Sequence, residues 1–465
     1  MTRREWLARV GAGFGAVAAS ALLEAAPRNP LAPKPPHLPA KAKAVIYLFM
    51  HGGVSHVDTW DPKPELARFS GQTLPPSFAK GLKTSRIDFT KALIRSSPWQ
   101  FKPWGQSGIQ VSELFPHMAS HVDDMVVIRS CHGDAFDHAP AIYLLSTGSQ
   151  FPGKPSLGAW VIYGLGSENE NLPAFVVMAD GATKSGPQGY GAGFLPAVYQ
   201  GTLFRPGKSP ILDLATPEGI TSEAQERTLN FIAKMDRLHA AERPGDSELE
   251  ARLAAYELAF RMQAAAPEAV DLSKESPATL KLYGIGEPLT DDFGRKCLLA
   301  RRLVERGVRF IQIFSGAHLG DDWDGAHNDL VGSHKKMAAK SDKPIAGLLA
   351  DLKSRGLLDS TLVVWTSEFG RTPLAEGRNG RDHHPYAFTS WMAGAGIQGG
   401  RVLGATDEFG LRPVEYPVDA HDINATILRL MGLDHVKLTY FYQGRDQRLT
   451  DVHGEREFTK FLLNT

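Results

Sequence analysis

Histidines and carboxylates recur together at short spacing in this chain, each time just after a run of apolar residues. The first cluster holds His51, Ser55, His56, Asp58 and Asp61. The second holds His132, Asp134, Asp137 and His138, with Pro140 and then Thr147 and Gly148 behind them. The third holds His318, Asp321, Asp322, Asp324 and His327. The fourth holds Glu368 and Arg371, then Arg381, Asp382, His383 and His384. Carboxylates packed this closely repel one another, and a cation is their natural counter-charge. Imidazole mixed with carboxylate suits zinc or manganese. Calcium or magnesium, which are possible, would draw fewer histidines. The candidate ligands for one or two divalent ions are therefore His51, Asp58, Asp324, His327, Glu368, Asp382 and His383.

Three further residues are candidates for the chemistry itself. His138 is expected at a helix start, where the partial positive charge favours anions. It or Ser55 would attack or carry the proton. Arg371 would clamp an anionic oxygen with its planar fork. Plainer readings stand beside these. Asp61 is a turn residue before Pro62, Asp137 an N-cap, and the third cluster a solvated acidic loop. Arg371 forms an ion pair with Glu368 or a neighbouring carboxylate. Asp422 caps a helix that ends at Gly432, and His421 either faces the site or does not.

The elements that must position these groups are legible in the apolar pattern. Continuous apolar runs at 44–50, 125–128, 174–178, 309–314 and 361–365 predict strands buried on both faces. Helices are expected over 222–241, 246–265, 292–306 and 335–355, the first two as a helical insertion at about 220–275. Met262, Phe260 and Tyr256 are expected in the core. Alternation of this kind predicts an α/β three-layer sandwich around a mostly parallel sheet. In such sheets the site lies at the carboxyl ends of the strands, which is where the clusters fall.

The chain's 51 basic and 51 acidic residues balance. That leaves no surplus positive charge to neutralise phosphates, so a nucleic-acid partner is not expected. Two cysteines exclude a disulfide scaffold; Cys131 and Cys297 are expected to stay free. Arg3 and Arg4 precede Trp6, Leu7 and an apolar stretch over 10–23. This predicts an export signal over residues 1–26 that resembles the twin-arginine type, with a periplasmic or extracellular destination. The apolar stretch falls short of the roughly 20 residues of a spanning helix, so no integral span is expected once the signal is removed. Gly11, Gly13 and Gly15 do not follow a strand, which removes a nucleotide-loop reading. A proline-rich linker is expected over 27–43, and a single folded body over 44–465.

The start around His51 to Lys63, Asp137-His138 with Pro140, Trp323-Asp324 with His327, the run Ser367 to Pro373 and Gly380 to His383 together resemble one secreted bacterial family. It is catalogued as domain of unknown function fifteen-oh-one, and the resemblance covers nearly the whole chain after the linker. That family is similar in turn to the alkaline phosphatase and sulfatase superfamily. The resemblance implies an alkaline-phosphatase-like fold and a metal-dependent hydrolase of phosphate or sulfate esters. It implies a small anionic ester, or a sulfated or phosphorylated glycan, as substrate. The chain departs from that pattern at His51, at Glu368-Phe369, and at His138, where a cysteine, serine or threonine nucleophile is expected. Two alternatives stay open: a non-catalytic envelope protein that binds a glycan or partner, with the Gly189–Phe194 segment as a glycan-facing loop, and a phosphotransferase or mutase.

Overall fold

The computed structural model describes residues 29–83, 85–205, 207, 210–211, 219–242, 257–259, 261–263, 266–316 and 321–465. A central nine-stranded sheet dominates. Its strands, in chain order, are β1 Ala44–Met50, β2 Met125–His132, β3 Phe175–Met178, β4 Thr202–Phe204, β5 Phe310–Ser315, β6 Thr361–Thr366, β7 Phe388–Gly394, β8 Arg401–Leu403 and β9 Val418–Asp419. They lie in the order β8-β2-β7-β6-β1-β5-β3-β4, and β9 also pairs with β2. β1 runs parallel to β5 and β6, and β5 runs parallel to β3. Among the described strands of this sheet β7 alone is antiparallel, to both β2 and β6, so those two share one direction. The five expected strands are all present, and every residue of β1, β3, β5 and β6 is buried.

The sheet is covered on both faces, which makes three layers. The main helices are α1 His138–Thr147, α2 Leu157–Leu165, α3 Ser222–Ala241, α4 Asp291–Glu305, α5 Leu330–Ser354 and α6 Ala420–Leu430. Side chains alternate along a strand, and β1 shows the consequence. Ile46, Leu48 and Met50 join a core with Leu298 and Leu299 of α4 and Leu348 and Leu349 of α5. Val45, Tyr47 and Phe49 join another with Trp160 of α2 and Ile423 and Ile427 of α6. Asp419 caps α6 with Asp422 as its reciprocal partner, so the expected cap is a pair. The His421 ring sits 3.0 Å from the Gly148 carbonyl. Cys131 and Cys297 are buried and free.

The segment expected as a linker is bonded to the body where it is described. Leu38 N–H donates to Gly432 O at 3.0 Å and Lys34 N–H to Leu165 O at 2.9 Å. Of the expected insertion, α3 is a helix, and Met262 is buried in the core. Most of 246–265, with Tyr256 and Phe260, lies outside the described residues, as do the signal segment 1–26 and His318.

Candidate metal centre

Shared strand direction carries the carboxyl ends of β1, β2, β3, β5 and β6 to one edge, and the loops leaving them meet there. Two glycines make the meeting possible. Gly52 and Gly53 lie just beyond β1 with φ of +115° and +83°, a region that L side chains avoid. A Cβ on Gly52 would stand 2.5 Å from the Asp324 main-chain nitrogen, and one on Gly53 would stand 2.6 Å from the Phe369 ring.

Asp324 is the hub. Its Oδ1 lies 3.0 Å from His138 Nε2, 3.3 Å from His327 Nε2 and 3.2 Å from His383 Nε2. The Nε2 atoms of His327 and His383 are 2.8 Å apart. Each ring is held from behind through Nδ1. His138 Nδ1 faces Glu368 Oε1 at 2.6 Å. His327 Nδ1 faces Glu376 Oε2, and His383 Nδ1 faces the Phe136 carbonyl at 2.7 Å. An acceptor at Nδ1 fixes the proton there and leaves the Nε2 lone pair facing forward. The three Nε2 atoms converge on one carboxylate oxygen.

The charge states agree with this role. Burial first, then the Arg371 charge, depresses His327 to about 2. Burial also brings His383 down to about 4, against the pull of the Asp324 hydrogen bond. Both rings are therefore neutral at pH 7, the form that binds a metal. Burial opposes charge on His138 too, but its hydrogen bonds to Asp324 and Glu368 outweigh that and raise it. Burial alone would raise Glu368; the hydrogen bond and charge of His138 hold it down at about 2.

The arrangement fits a divalent ion. A tetrahedral ion with zinc-like bonds sets its ligand atoms ~3.4 Å apart, close to the separations around Asp324 Oδ1. His138, Asp324 and His383 present donor atoms all within 4.8 Å of one another, and so do His327, Asp382 and His383. His383 belongs to both sets. Its Nδ1 is engaged by Phe136, so it has one nitrogen to offer, and the two sets cannot be filled together.

Not every residue singled out in the sequence joins this cluster. Asp58 is fully buried in a two-pronged ion pair with Arg381, at 2.8 and 3.2 Å, and is in neither candidate set. Ser55 Oγ donates to Asp58 Oδ2 at 2.5 Å. His51 lies beside the cluster, and its Nε2 accepts the Lys184 main-chain N–H at 3.0 Å. Glu368 stands behind His138, where it also accepts the Gly52 N–H at 2.8 Å. Asp382 accepts from Ser85 Oγ at 2.6 Å and from the Arg86 N–H at 2.7 Å. Arg371 is fully buried and donates to the carbonyls of Gly52, Gly53 and Arg381 as well as to Asp324 Oδ1, the last at 2.8 Å. Its donors serve the chain's own oxygens.

Two functional groups are not apparent from the sequence. Glu376 orients His327. Lys184, in the loop after β3, places Nζ 2.8 Å from Asp324 Oδ2, 3.0 Å from Asp322 Oδ2 and 3.1 Å from His138 Nε2. The other clusters stand out because they occupy loops at the carboxyl ends of buried strands. The loop after β3 has the same placement, and that signal points to Lys184.

Fold and site together describe an α/β protein in which three histidines gather around the Asp324 carboxylate at the carboxyl edge of its sheet. A family model described as "Protein of unknown function (DUF1501)" matches residues 42–459, and the chain belongs to that family. No curated protein shows significant similarity to it. Among solved structures it is similar to the PsFucS1 sulfatase from Pseudoalteromonas sp., at 14% identity over 90% of this chain and 72% of that one, with a TM-score of 0.39. It is similar to the alkaline phosphatase of the Antarctic bacterium TAB5, at 13% identity over 85% and 99% of the two chains, with a TM-score of 0.37. It is also similar to the lipoteichoic acid synthase LtaP from Listeria monocytogenes, at 10% identity over 87% and 76%, with a TM-score of 0.35.

Proposed function

We propose that this protein is a metal-dependent hydrolase of phosphate or sulfate esters. His138, Asp324, His327 and His383 would hold one divalent ion, with zinc favoured over manganese. The observation that carries the reading is the common build of the three imidazoles, each fixed at Nδ1 and each presenting Nε2 to Asp324 Oδ1. A bound ion would draw charge from the ester oxygen and lower the pKa of water at the site.

The chain's own groups do the rest. Glu368, Glu376 and the Phe136 carbonyl orient the rings. Phe369 packs against His138 and His383, with ring centroids 5.0 and 4.4 Å away, and excludes water from that side. His138, the ring of raised pKa, would have to release its Nε2 proton for that nitrogen to hold an ion. Ser55 is fully buried and His138 would hold the ion, so attack would fall to water rather than to a side chain. The reading takes a small anionic ester, or a sulfated or phosphorylated glycan, as substrate. It includes export by the twin-arginine route, on the strength of Arg3, Arg4 and the apolar stretch behind them. Among the described residues no helix is long and apolar enough to cross a membrane.

A non-catalytic binding role is the second reading, favoured by the complete burial of Ser55 and Arg371 and their bonding within the chain. Elemental analysis of the purified protein, with assays on generic phosphate and sulfate mono- and diesters in added zinc, manganese or calcium, decides. Bound metal with turnover supports hydrolysis, and metal without turnover favours the binding role. Absence of both sinks the proposal.

A further inference from the structure

Lys184 is not a metal ligand, yet it lies at the heart of the centre. Its side chain is 8% exposed, and its ammonium bridges two carboxylates. Asp324 divides its oxygens: Oδ1 faces the three imidazoles and Arg371, whereas Oδ2 faces Lys184 Nζ at 2.8 Å. Asp322 Oδ2 lies on the same ammonium at 3.0 Å. A carboxylate shared in this way, with a second carboxylate beside it, is the arrangement that holds two metal ions in other sites. Here a resident cation takes the second position. The two candidate ligand sets exclude each other through His383, so neither supplies another full site.

The loop that carries Lys184 is fixed in place. Lys184 N–H donates to His51 Nε2 at 3.0 Å, which gives the buried His51 imidazole its function here. The next residue is held as well, because Tyr143 Oη donates to the Ser185 carbonyl at 2.8 Å. An ammonium carries three N–H donors, and the carboxylates of Asp322 and Asp324 engage two. The other near group, His138 Nε2 at 3.1 Å, has a single lone pair, which the metal reading assigns to the ion. One N–H is then left for a ligand. Arg371, the expected anion clamp, is fully buried, and four of its five N–H groups are engaged by carbonyls and Asp324.

We infer that Lys184 is the built-in second cation of this centre: it holds the stoichiometry at one ion per chain and binds the anionic oxygen of the ester. The inference rests on the metal reading above and goes beyond it in naming the cation count and the anion-binding group.

The test uses the full chain loaded with zinc, as wild type, Lys184→Met and Lys184→Arg. Zinc per chain is measured by elemental analysis, and inorganic phosphate binding by calorimetry. Wild type should carry one zinc and bind phosphate. Lys184→Met should keep its first zinc, showing that the centre is folded, and lose at least tenfold in phosphate affinity. Lys184→Arg should recover part of that loss. Two zinc ions in wild type overturn the inference and leave the metal reading standing. Phosphate affinity within twofold of wild type in Lys184→Met overturns it as well, and so does loss of the first zinc in that variant. Wild type without zinc overturns the metal reading, and this inference falls with it.

Discussion

Glu368 Oε1 stands 2.6 Å from His138 Nδ1, and this contact decides which nitrogen of His138 faces Asp324. On the metal reading the carboxylate would act on an ion through the ring. Glu368→Gln keeps an acceptor for Nδ1–H and for the Gly52 N–H but removes the charge that makes the ring a stronger base. Metal affinity should fall by about 10–100-fold with little loss of folded protein, measured by chelator competition. Unchanged affinity would mean that Glu368 does not tune the ligand.

Direct removal of the hub should be harsher. Asp324→Ala deletes the oxygen on which three imidazoles converge and leaves Arg371 and Lys184 without that carboxylate. Bound metal should drop below detection by elemental analysis, and ester turnover should vanish with it. Full retention of metal would place the ion elsewhere.

Asp58 offers the opposite contrast. Both it and Arg381 have fully buried side chains, and removing one partner strands the other's charge. Asp58→Ala should cost about 3–5 kcal/mol of unfolding free energy by urea titration, while the protein that remains folded binds metal as wild type does. Loss of metal at unchanged stability would return Asp58 to the ligand set.

These contrasts show what the sequence could and could not carry. The strands were legible because buried parallel strands need unbroken apolar runs, and the clusters because they lie directly behind those runs. β7 was missed because Thr389 and Ser390 interrupt its apolar pattern. They are tolerated because the strand sits between partners and Ser390 Oγ meets Thr366 Oγ1 at 2.8 Å. Among the carboxylates, spacing gives proximity but not which oxygen meets which nitrogen. Asp58, Glu368 and Asp324 look alike in sequence; one closes an ion pair, one orients a ring, and one receives three rings. Lys184 sits in a polar loop like any solvated lysine, and only the fold brings Asp322 and Asp324 to it.

His334 gives a pH signature independent of the metal. It is fully buried, with Nε2 accepting the Ser55 N–H at 3.0 Å, and burial depresses it to about 3. An unfolded histidine titrates near 6.5. As pH falls below about 6.5, the unfolded chain takes up the proton first, so stability drops by about 1.4 kcal/mol per pH unit from this residue, down towards pH 3. Above pH 7 the contribution is complete. His334→Gln keeps an acceptor for Ser55 but cannot titrate. Urea midpoints measured from pH 7 to pH 5 should therefore fall less steeply in the variant than in wild type. Parallel slopes would remove His334 as a source of acid sensitivity.

Gly52 ties the fold to the site most directly, because one missing methyl group serves two purposes there. Its φ of +115° lets the chain turn sharply out of β1. Its bare Cα also lets the turn at Trp323 and Asp324 approach, where an added Cβ would lie 2.8 and 2.5 Å from their main-chain nitrogens. Gly52→Ala brings backbone strain of about 1–3 kcal/mol together with a clash that backbone atoms cannot relieve by rotating a side chain. The turn must move, and Asp324 moves with it. Zinc affinity should then fall more than stability alone would dictate, because only Oδ1 in its present position meets all three Nε2 atoms. Parallel measurements of the urea midpoint and of zinc affinity by chelator competition check this. A variant that loses stability but binds zinc like wild type would show that the site tolerates the shift.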